Sequence, residues 1–255
     1  MIKIIMHGCN GKMGQVISEI VSQDDTTKIV AGIDTIDNKL NEYPLYTVID
    51  ECREEADVMI DFSNAKATNQ LLDYALRRKL PLVLCTTGLS DEQNSMVEEA
   101  SKEIPILRSA NMSLGVNTLI TLAKMAAQVF GNAGFDIEIV EKHHNLKVDA
   151  PSGTALALAD AINETLNNEY EYKYTRHDKR EKRSKKEIGL HAVRGGTIVG
   201  EHNIYFAGID EVVELTHVAQ SKAVFGKGAI EAAKFLARQP KGLYNMEDVI
   251  RDSVI

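Results

Sequence analysis

The chain has 255 residues, a net charge of −8 and 44% hydrophobic residues. Its length predicts two domains, because single cores stop growing at roughly 250 residues. The negative charge disfavours nucleic-acid binding, and no run approaches the roughly 20 apolar residues of a membrane span. Three distant cysteines exclude a disulfide framework and the first residues lack a signal-peptide pattern, so we expect a cytoplasmic protein without nucleic-acid or membrane partners.

From residue 1 to about 110, short apolar runs alternate with amphipathic stretches, a pattern typical of repeated βα units and a parallel sheet. Apolar residues at helical spacing between Met13 and Val21 predict a helix that packs one face on this sheet. A second helix is predicted over Ala65–Arg78. The predicted strands are Ile2–His7, Lys28–Ile33, Val58–Phe62, Leu82–Cys85 and Ile104–Arg108.

The pattern changes after a long apolar helical stretch, Asn111–Phe130, which four turn-forming residues terminate. From Phe135 to Ile139, apolar and acidic residues alternate, which predicts a half-buried strand. We therefore predict an α/β protein, with a Rossmann-like parallel-sheet domain and a second α+β domain whose sheet is mixed or antiparallel. The remaining predicted strands are Ile188–Val193, Thr197–Phe206 and Glu211–His217, and the remaining predicted helices are Ala155–Leu166 and Ala229–Arg238.

A basic run from Arg176 to Lys186 is interrupted by Asp178 and Glu181 and contains no aromatic residue for stacking on bases. Blocks of charge are usually exposed, so we predict a solvated loop over this run.

A glycine-rich turn joins the first predicted strand to the first predicted helix. Its glycines at positions 8, 11 and 14 let the backbone approach a pyrophosphate, which the N–H groups and the helix dipole then hold. The usual motif is Gly-x-Gly-x-x-Gly, and here Asn10 replaces one glycine while Gly11 stands beside it. A plain βα turn is the alternative. The residues predicted to bind a nicotinamide dinucleotide here are Gly8, Cys9, Asn10, Gly11, Lys12 and Met13.

Asp34 follows Gly14 by twenty residues and ends the second predicted strand, where its carboxylate can bind both ribose hydroxyls. The carboxylate would repel a 2′-phosphate, and Thr35 adds no positive charge, so NADH is favoured while NADPH stays open. Two further turns follow strands at the same edge and are predicted to contact the nicotinamide and its ribose, although Ser and Thr also cap helices there. These turns contain Cys85, Thr86 and Thr87, and Ser109, Ala110, Asn111 and Met112.

Varied polar groups are concentrated between residues 141 and 155. His143, His144 and Lys147 could donate protons and attract carboxylates, and Pro151–Thr154 begins a helix whose free N–H groups suit an anion. A purely structural histidine pair is the alternative. We expect no metal site, because adjacent histidines on a strand point to opposite faces and no His-x-x-x-His pair is present.

The run Glu-x-His-His-x-x-Lys-x-Asp-Ala-Pro-Ser-Gly-Thr-Ala, residues 141–155, resembles the signature of the dihydrodipicolinate reductase family, also called 4-hydroxy-tetrahydrodipicolinate reductase. The resemblance covers nearly the whole chain. Besides the glycine turn it includes Asp61–Phe62, Thr86–Gly88, Ser109–Ser113, Arg194–Gly196, Gly200–His202 and Phe225–Ala229.

The resemblance implies an NAD(P)H-dependent reductase that converts 4-hydroxy-tetrahydrodipicolinate, a cyclic dicarboxylate, to tetrahydrodipicolinate in diaminopimelate and lysine biosynthesis. It implies that His143 donates the proton with Lys147 as its partner. It also implies that His144, Gly153 and Thr154 bind the substrate. A dinucleotide sensor without catalysis and another small-molecule dehydrogenase of the same architecture are the alternatives.

The resemblance further implies that residues 1–110 and 218–255 form the dinucleotide-binding domain, and that residues 111–217 bind substrate and build a homotetramer. The sequence departs from the family pattern at two positions. Cys85 stands where many members have Gly, and Thr35 stands where NADP-preferring members often carry Arg or Lys. The second departure leaves the choice of cofactor open.

Overall fold

The structure, a computed structural model, describes residues 1–177 and 180–254, so Asp178 in the basic run lies outside the described residues. The chain divides into two compact units. Unit 1 consists of Met1–Leu114 and Ala223–Ile255, and unit 2 of Gly115–Lys222. Among the described residues, no helix combines the length and the apolar character needed to cross a bilayer.

The secondary structure is given in chain order. The strands are β1 (Ile2–His7), β2 (Thr27–Ile33), β3 (Leu45–Tyr46), β4 (Val58–Asp61), β5 (Leu82–Leu84), β6 (Pro105–Arg108), β7 (Asp136–His143), β8 (Glu171–Lys173), β9 (Glu187–Arg194), β10 (Gly200–Ala207), β11 (Val212–Ala219) and β12 (Gly242–Tyr244). The α-helices are α1 (Lys12–Ser22), α2 (Thr68–Arg78), α3 (Asp91–Ser101), α4 (Leu114–Phe130), α5 (Gly153–Thr165), α6 (Ala223–Leu236) and α7 (Met246–Val254).

Unit 1 is built on a seven-stranded sheet in the order β12-β6-β5-β4-β1-β2-β3, with every neighbouring pair parallel. One apolar cluster joins residues of α1, α6 and α7 to the sheet, and a second joins residues of α2 and α3 to it. The predicted Rossmann-like sheet is confirmed. The strand order reverses between β1 and β4, and in such sheets ligands bind in the crevice at the carboxyl ends of the strands beside this reversal.

Unit 2 is built on a five-stranded mixed sheet in the order β11-β10-β7-β9-β8. Strand β10 is antiparallel to β7 and β11, whereas β9 is parallel to β7 and β8. Along β7 every second side chain is buried, and these residues are Ile137, Ile139, Glu141 and His143. Residues of α4 and α5 complete the apolar core with β7, β9 and β10. The predicted second sheet is confirmed, and two polar side chains continue the row of core residues along β7.

Two predicted elements begin later than the sequence pattern indicates. The helix predicted from Asn111 begins at Leu114, because the Asn111 side chain accepts the Ser113 N–H at 2.9 Å and holds residues 111–113 in a turn. The strand predicted from Thr197 begins at Gly200, after a turn at Gly196 with a positive φ of 48°.

Arg176 is exposed, as the prediction of a solvated loop requires, whereas Arg183 is half-buried and contradicts it. Arg176 and Arg183 both contact the carboxylate of Glu187, which is only 4% exposed. Arg183 also donates to the Ile137 and Glu187 carbonyls at 3.1 and 2.9 Å. A buried carboxylate needs charged or hydrogen-bonding partners, so these arginines fold back onto the sheet of unit 2.

Candidate functional site

The glycine turn of unit 1 forms a cradle that side chains would fill. Gly8 has a φ of 79°, and a Cβ added to it would lie 2.6 Å from the Phe62 carbonyl oxygen. A Cβ on Gly14 would lie 2.5 Å from the Cys9 carbonyl oxygen. Gly11 begins α1 without a side-chain cap, so the first N–H groups of the helix are free to bind an anion. The turn therefore fits the phosphates of a dinucleotide.

Asp34 is tied to this turn by its carboxylate. Its Oδ2 accepts the Asn10 N–H at 2.9 Å and its Oδ1 accepts the Ile36 N–H at 3.1 Å. The Asn10 side chain donates in turn to the Ile36 carbonyl at 2.8 Å. Asn10, which replaces the usual glycine, thus joins the turn to the end of β2. The partly buried Asp34 carboxylate lies where the sequence predicts a ribose contact.

The other predicted cofactor residues differ in what they can offer. The side chains of Cys9 and Met112 are 0% and 4% exposed and belong to the core, so only their backbone groups could contact a ligand. Burial raises the pKa of the Cys9 thiol to about 11, which keeps this side chain a neutral thiol. Thr86 is buried, whereas Thr87 and Ala110 are exposed. Lys12 is also exposed, and Met13 is half-buried.

The predicted acid of unit 2, His143, is the last residue of β7 and is 9% exposed. Its Nδ1 lies 2.6 Å from Oε2 of Glu141, which is two residues earlier on the strand and therefore on the same face. Arg194, the last residue of β9, donates to both oxygens of Glu141 at 2.8 and 2.6 Å. The Ser152 N–H donates to Oε1 of Glu141 at 3.0 Å. A fully buried carboxylate thus holds a histidine, an arginine and the start of α5 together.

Opposing influences set the charge of Glu141. Its burial pushes the carboxyl pKa upward, but the hydrogen bonds from Arg194, His143 and Ser152 outweigh that effect and lower the pKa overall. The same contact with Glu141 raises the pKa of the Arg194 guanidinium. Glu141 is therefore an ionised carboxylate beside His143, and it can only accept hydrogen bonds.

A second histidine, His202, borders this arrangement. Its Nε2 lies 3.1 Å from the hydroxyl of Ser152, which also accepts the Ala155 N–H and caps α5. The rings of His143 and His202 meet edge to face with their centroids 5.2 Å apart. Burial, with a further contribution from His143, lowers the pKa of His202 to about 4. His202 is accordingly neutral at neutral pH.

Lys147 and the first residue of α5 share one anion. The Lys147 Nζ lies 2.9 Å from Oδ1 of Asp149. Lys147 first, and the Gly153 N–H to a lesser degree, lower the pKa of Asp149. A cationic side chain and a helix N-terminus therefore converge on a carboxylate. The predicted substrate residues His144 and Thr154 are half-buried. Gly153 is exposed, and a Cβ added to it would meet open space within 4 Å.

The predicted site did not include four residues that the structure joins to His143: Glu141, Ser152, Arg194 and His202. A signal for Glu141 exists in the sequence, because Glu141 falls in the same alternating register as Ile137 and Ile139 and so belongs to the buried face of the strand. Within residues 1–177 and 180–254, no three His, Cys, Asp or Glu side chains are grouped so as to hold a metal ion.

Comparisons with known proteins cover both units. A family model described as the N-terminus of dihydrodipicolinate reductase matches residues 2–112, and one described as its C-terminus matches residues 115–250. A relative from Caldanaerobacter subterraneus subsp. tengcongensis, named 4-hydroxy-tetrahydrodipicolinate reductase, is 57% identical over 98% of this chain and 99% of its own. A relative of the same name from Clostridium novyi is 47% identical over 98% and 99% of the two chains.

A solved structure shares this fold over nearly its whole length. It is described as dipicolinate-bound dihydrodipicolinate reductase from Paenisporosarcina sp. TG-14. It superposes with a TM-score of 0.81 at 25% identity, over 97% of this chain and 99% of the other.

Proposed function

Because the chain belongs to the dihydrodipicolinate reductase family, an oxidoreductase family, we propose that it reduces 4-hydroxy-tetrahydrodipicolinate to tetrahydrodipicolinate in diaminopimelate and lysine biosynthesis. The observation that carries this proposal is the contact of His143 with the buried carboxylate of Glu141, which Arg194 also holds. This arrangement orients a proton donor, and pure dinucleotide binding has no need of one.

The glycine turn and Asp34 would hold a nicotinamide dinucleotide in unit 1. When bound, the reduced nicotinamide supplies the hydride. The free N–H groups at the start of α1 bind the pyrophosphate, and the carboxylate of Asp34 binds the ribose hydroxyls. The turns at Cys85–Thr87 and Ser109–Met112 contact the nicotinamide half. The negative charge of Asp34 beside the uncharged Thr35 favours NADH over NADPH.

His143 donates the proton from Nε2 in this proposal. Glu141 accepts the hydrogen bond from Nδ1–H, which fixes the orientation of the ring and leaves Nε2 as the free nitrogen. The assignment of Nδ1 as the donor follows from the ionised state of Glu141, because a carboxylate can only accept. A cationic acid at this position stabilises the negative charge that develops on the substrate as hydride adds to it.

Lys147 and the start of α5 recognise the substrate's carboxylates. They converge on the Asp149 carboxylate, which indicates that this place suits an anion. A substrate carboxylate would take the position of Asp149 against Lys147 and the Gly153 N–H, with Thr154 and His144 beside it. Lys147 then assists His143 by adding positive charge beside the substrate ring.

We also propose that the enzyme is a cytoplasmic homotetramer assembled through the sheets of unit 2. The edge strand β11 exposes two apolar side chains, Val212 at 60% and Val218 at 52%. Burial of such residues between subunits is the usual way to satisfy an exposed apolar strand. Size-exclusion chromatography with light scattering tests the subunit number, and a monomer would contradict it.

The reaction is tested by following oxidation of NADH and of NADPH on enzymatically generated substrate. We expect turnover that needs the substrate, inhibition by dipicolinate, and loss of turnover in the double variant His143→Gln with Lys147→Ala while the nucleotide still binds. The matched control changes an exposed histidine and lysine of the same unit, His177→Gln with Lys182→Ala, and should keep full activity. Full activity in the first double variant would overturn the assigned roles.

A further inference from the structure

The ends of three neighbouring strands of unit 1 meet at one buried carboxylate. Asp61 is the last residue of β4 and is 0% exposed. His7 is the last residue of β1, and Thr86 follows β5. Strand β4 lies between β1 and β5 in the sheet, and the strand order reverses between β4 and β1. Asp61 therefore lies beside the crevice where open parallel sheets bind their ligands.

Both oxygens of Asp61 are used. Oδ1 lies 2.7 Å from Nδ1 of His7 and accepts the Ser63 N–H at 3.1 Å. Oδ2 accepts the Thr86 hydroxyl at 2.6 Å. Among the described residues, His7 is the only partner of Asp61 that can carry positive charge. The charge of the carboxylate also acts on Cys85. Burial raises the pKa of the Cys85 thiol, and the Asp61 carboxylate raises it further.

His7 is next to a segment proposed to hold the cofactor, and Thr86 is part of another. His7 directly precedes Gly8, whose backbone packs against the Phe62 carbonyl. Thr86 lies in the turn that follows β5. A buried polar cluster contributes less to stability than well-packed apolar side chains of the same volume. When all its hydrogen bonds are made, it rigidifies the site and specifies one geometry. Here that geometry is the spacing between the two turns.

We propose that the cluster of His7, Asp61 and Thr86 is a positioning device that fixes the glycine turn and the Thr86 turn at the separation needed for one dinucleotide to contact both. The proposal rests on the proposed cofactor binding in unit 1. His7 and Asp61 are positioning residues, because they act through the two turns and contact no reacting atom. Weakening the cluster should therefore lower nucleotide affinity more than it lowers the rate at saturating nucleotide.

The test is a fluorescence titration of the full-length protein with NADH. His7→Phe keeps an aromatic ring and removes the hydrogen bond, and Asp61→Asn removes the charge that both partners contact. We expect Kd for NADH to rise about tenfold in each variant, equivalent to roughly 1.4 kcal/mol. His7→Asn restores an N–H donor near the Nδ1 position and should recover most of the lost affinity.

A control variant separates positioning from general destabilisation. Tyr74→Phe removes another buried hydroxyl of unit 1, which donates to the Cys52 carbonyl at 3.0 Å on the α2 side of the sheet. It should lower the unfolding temperature and leave Kd for NADH as in the wild type. If His7→Phe or Asp61→Asn does not fold, Thr86→Val removes only the hydroxyl that Asp61 accepts and is measured in its place.

Three outcomes are distinguishable. An unchanged Kd in folded variants of His7, Asp61 and Thr86 would overturn the positioning role, and so would an equal loss of affinity in Tyr74→Phe. Failure of the wild-type protein to bind NADH or NADPH would overturn the proposed function on which this role rests. Weaker binding in the cluster variants alone, with recovery in His7→Asn, would support it.

Discussion

Oε2 of Glu141 lies 2.6 Å from Nδ1 of His143, although the same carboxylate already binds both terminal nitrogens of Arg194. The bidentate pair keeps Glu141 ionised in a fully buried position. The other hydrogen bonds of the carboxylate are with the imidazole of His143 and with the Ser152 N–H. Arg194 thereby supports the orientation of His143 through the carboxylate that both side chains contact.

The first prediction concerns Glu141→Gln. The amide keeps the shape of the side chain but removes the negative charge that His143 and Arg194 both contact. We expect kcat/KM to fall about 100-fold, within the usual contribution of acid–base catalysis, and its pH profile to differ from that of the wild type, because the carboxylate that orients the proposed acid is lost. Pre-steady-state and steady-state kinetics across pH check this, with NADH affinity expected to be unchanged.

The control for this variant is Glu138→Gln, on the same strand. Glu138 contacts His191, Arg176 and Arg183, and none of these contacts reaches His143. It should keep the wild-type profile. A profile of Glu141→Gln that superimposes on the wild type would contradict the role of this carboxylate.

The second prediction concerns the glycine cradle. In Gly14→Ala the new methyl would overlap the carbonyl oxygens of Gly8 and Cys9, and backbone atoms in a tight turn cannot move away easily. We expect NADH affinity to fall more than tenfold and stability to fall by about 1–3 kcal/mol, the usual cost of overpacking. Calorimetric titration and thermal unfolding measure the two effects.

Gly226→Ala is the matched control in unit 1. Its methyl would lie 3.3 Å from side-chain atoms of Ile17 and Ile20, which can shift by a few tenths of an ångström. Its Kd for NADH should match the wild-type value. Equal losses of NADH affinity in Gly14→Ala and Gly226→Ala would contradict a specific role of Gly14 in nucleotide binding.

The third prediction concerns stability and pH. The pKa of His202 is about 4 in the folded protein, against 6.5 for the ordinary side chain. Between these values the unfolded chain binds a proton that the folded chain does not, so this group stabilises the fold fully above pH 6.5 and progressively less as pH falls to 4. The loss has an upper limit of about 3 kcal/mol.

Urea denaturation at several pH values across this window measures the effect. His202→Gln should show a shallower loss of stability on acidification than the wild type, because its side chain does not titrate. His177→Gln, which changes an exposed histidine of the same unit, should follow the wild type. Identical slopes for His202→Gln and the wild type would refute the assignment.

The fourth prediction concerns cofactor choice. Thr35 is exposed and follows Asp34, so Thr35→Arg adds a positive charge without disturbing the hydrogen bonds of Asp34. An arginine can bind a 2′-phosphate with two hydrogen bonds. We expect the ratio of NADPH to NADH affinity to rise about tenfold. Thr35→Gln, of similar length and no charge, should leave the ratio unchanged, and titrations with both nucleotides decide between them.

Periodicity predicts most of the fold, and its failures have physical reasons. Strands β3, β8 and β12 have two or three residues each, too few for an alternating pattern, and all three lie at sheet edges. Helix α3 has a weak apolar periodicity, yet its capping box of Ser90 and Gln93 is readable in the sequence and indicates a helix start.

Some contacts of the candidate site can likewise be predicted from the sequence, and others cannot. The partnership of Glu141 with His143 follows from two-residue spacing on a strand, which sequence reasoning can use. The partnership of His7 with Asp61 cannot be found in that way, because these residues are 54 positions apart and meet only through the order of the strands. Arg194 likewise reaches Glu141 across the pairing of β9 with β7.

Helix α6 packs so closely in unit 1 that a Cβ on Gly228 would overlap the carbonyl of Met112. It contributes Ala229, Ile230, Ala233 and Leu236 to the cluster that covers one face of the parallel sheet. A chain emerging from the ribosome therefore presents this face without its α6 cover until all of unit 2 has been synthesised. Unit 1 is started first and completed last, and during that interval its apolar strands are exposed surface of the kind that makes partly folded chains prone to aggregate.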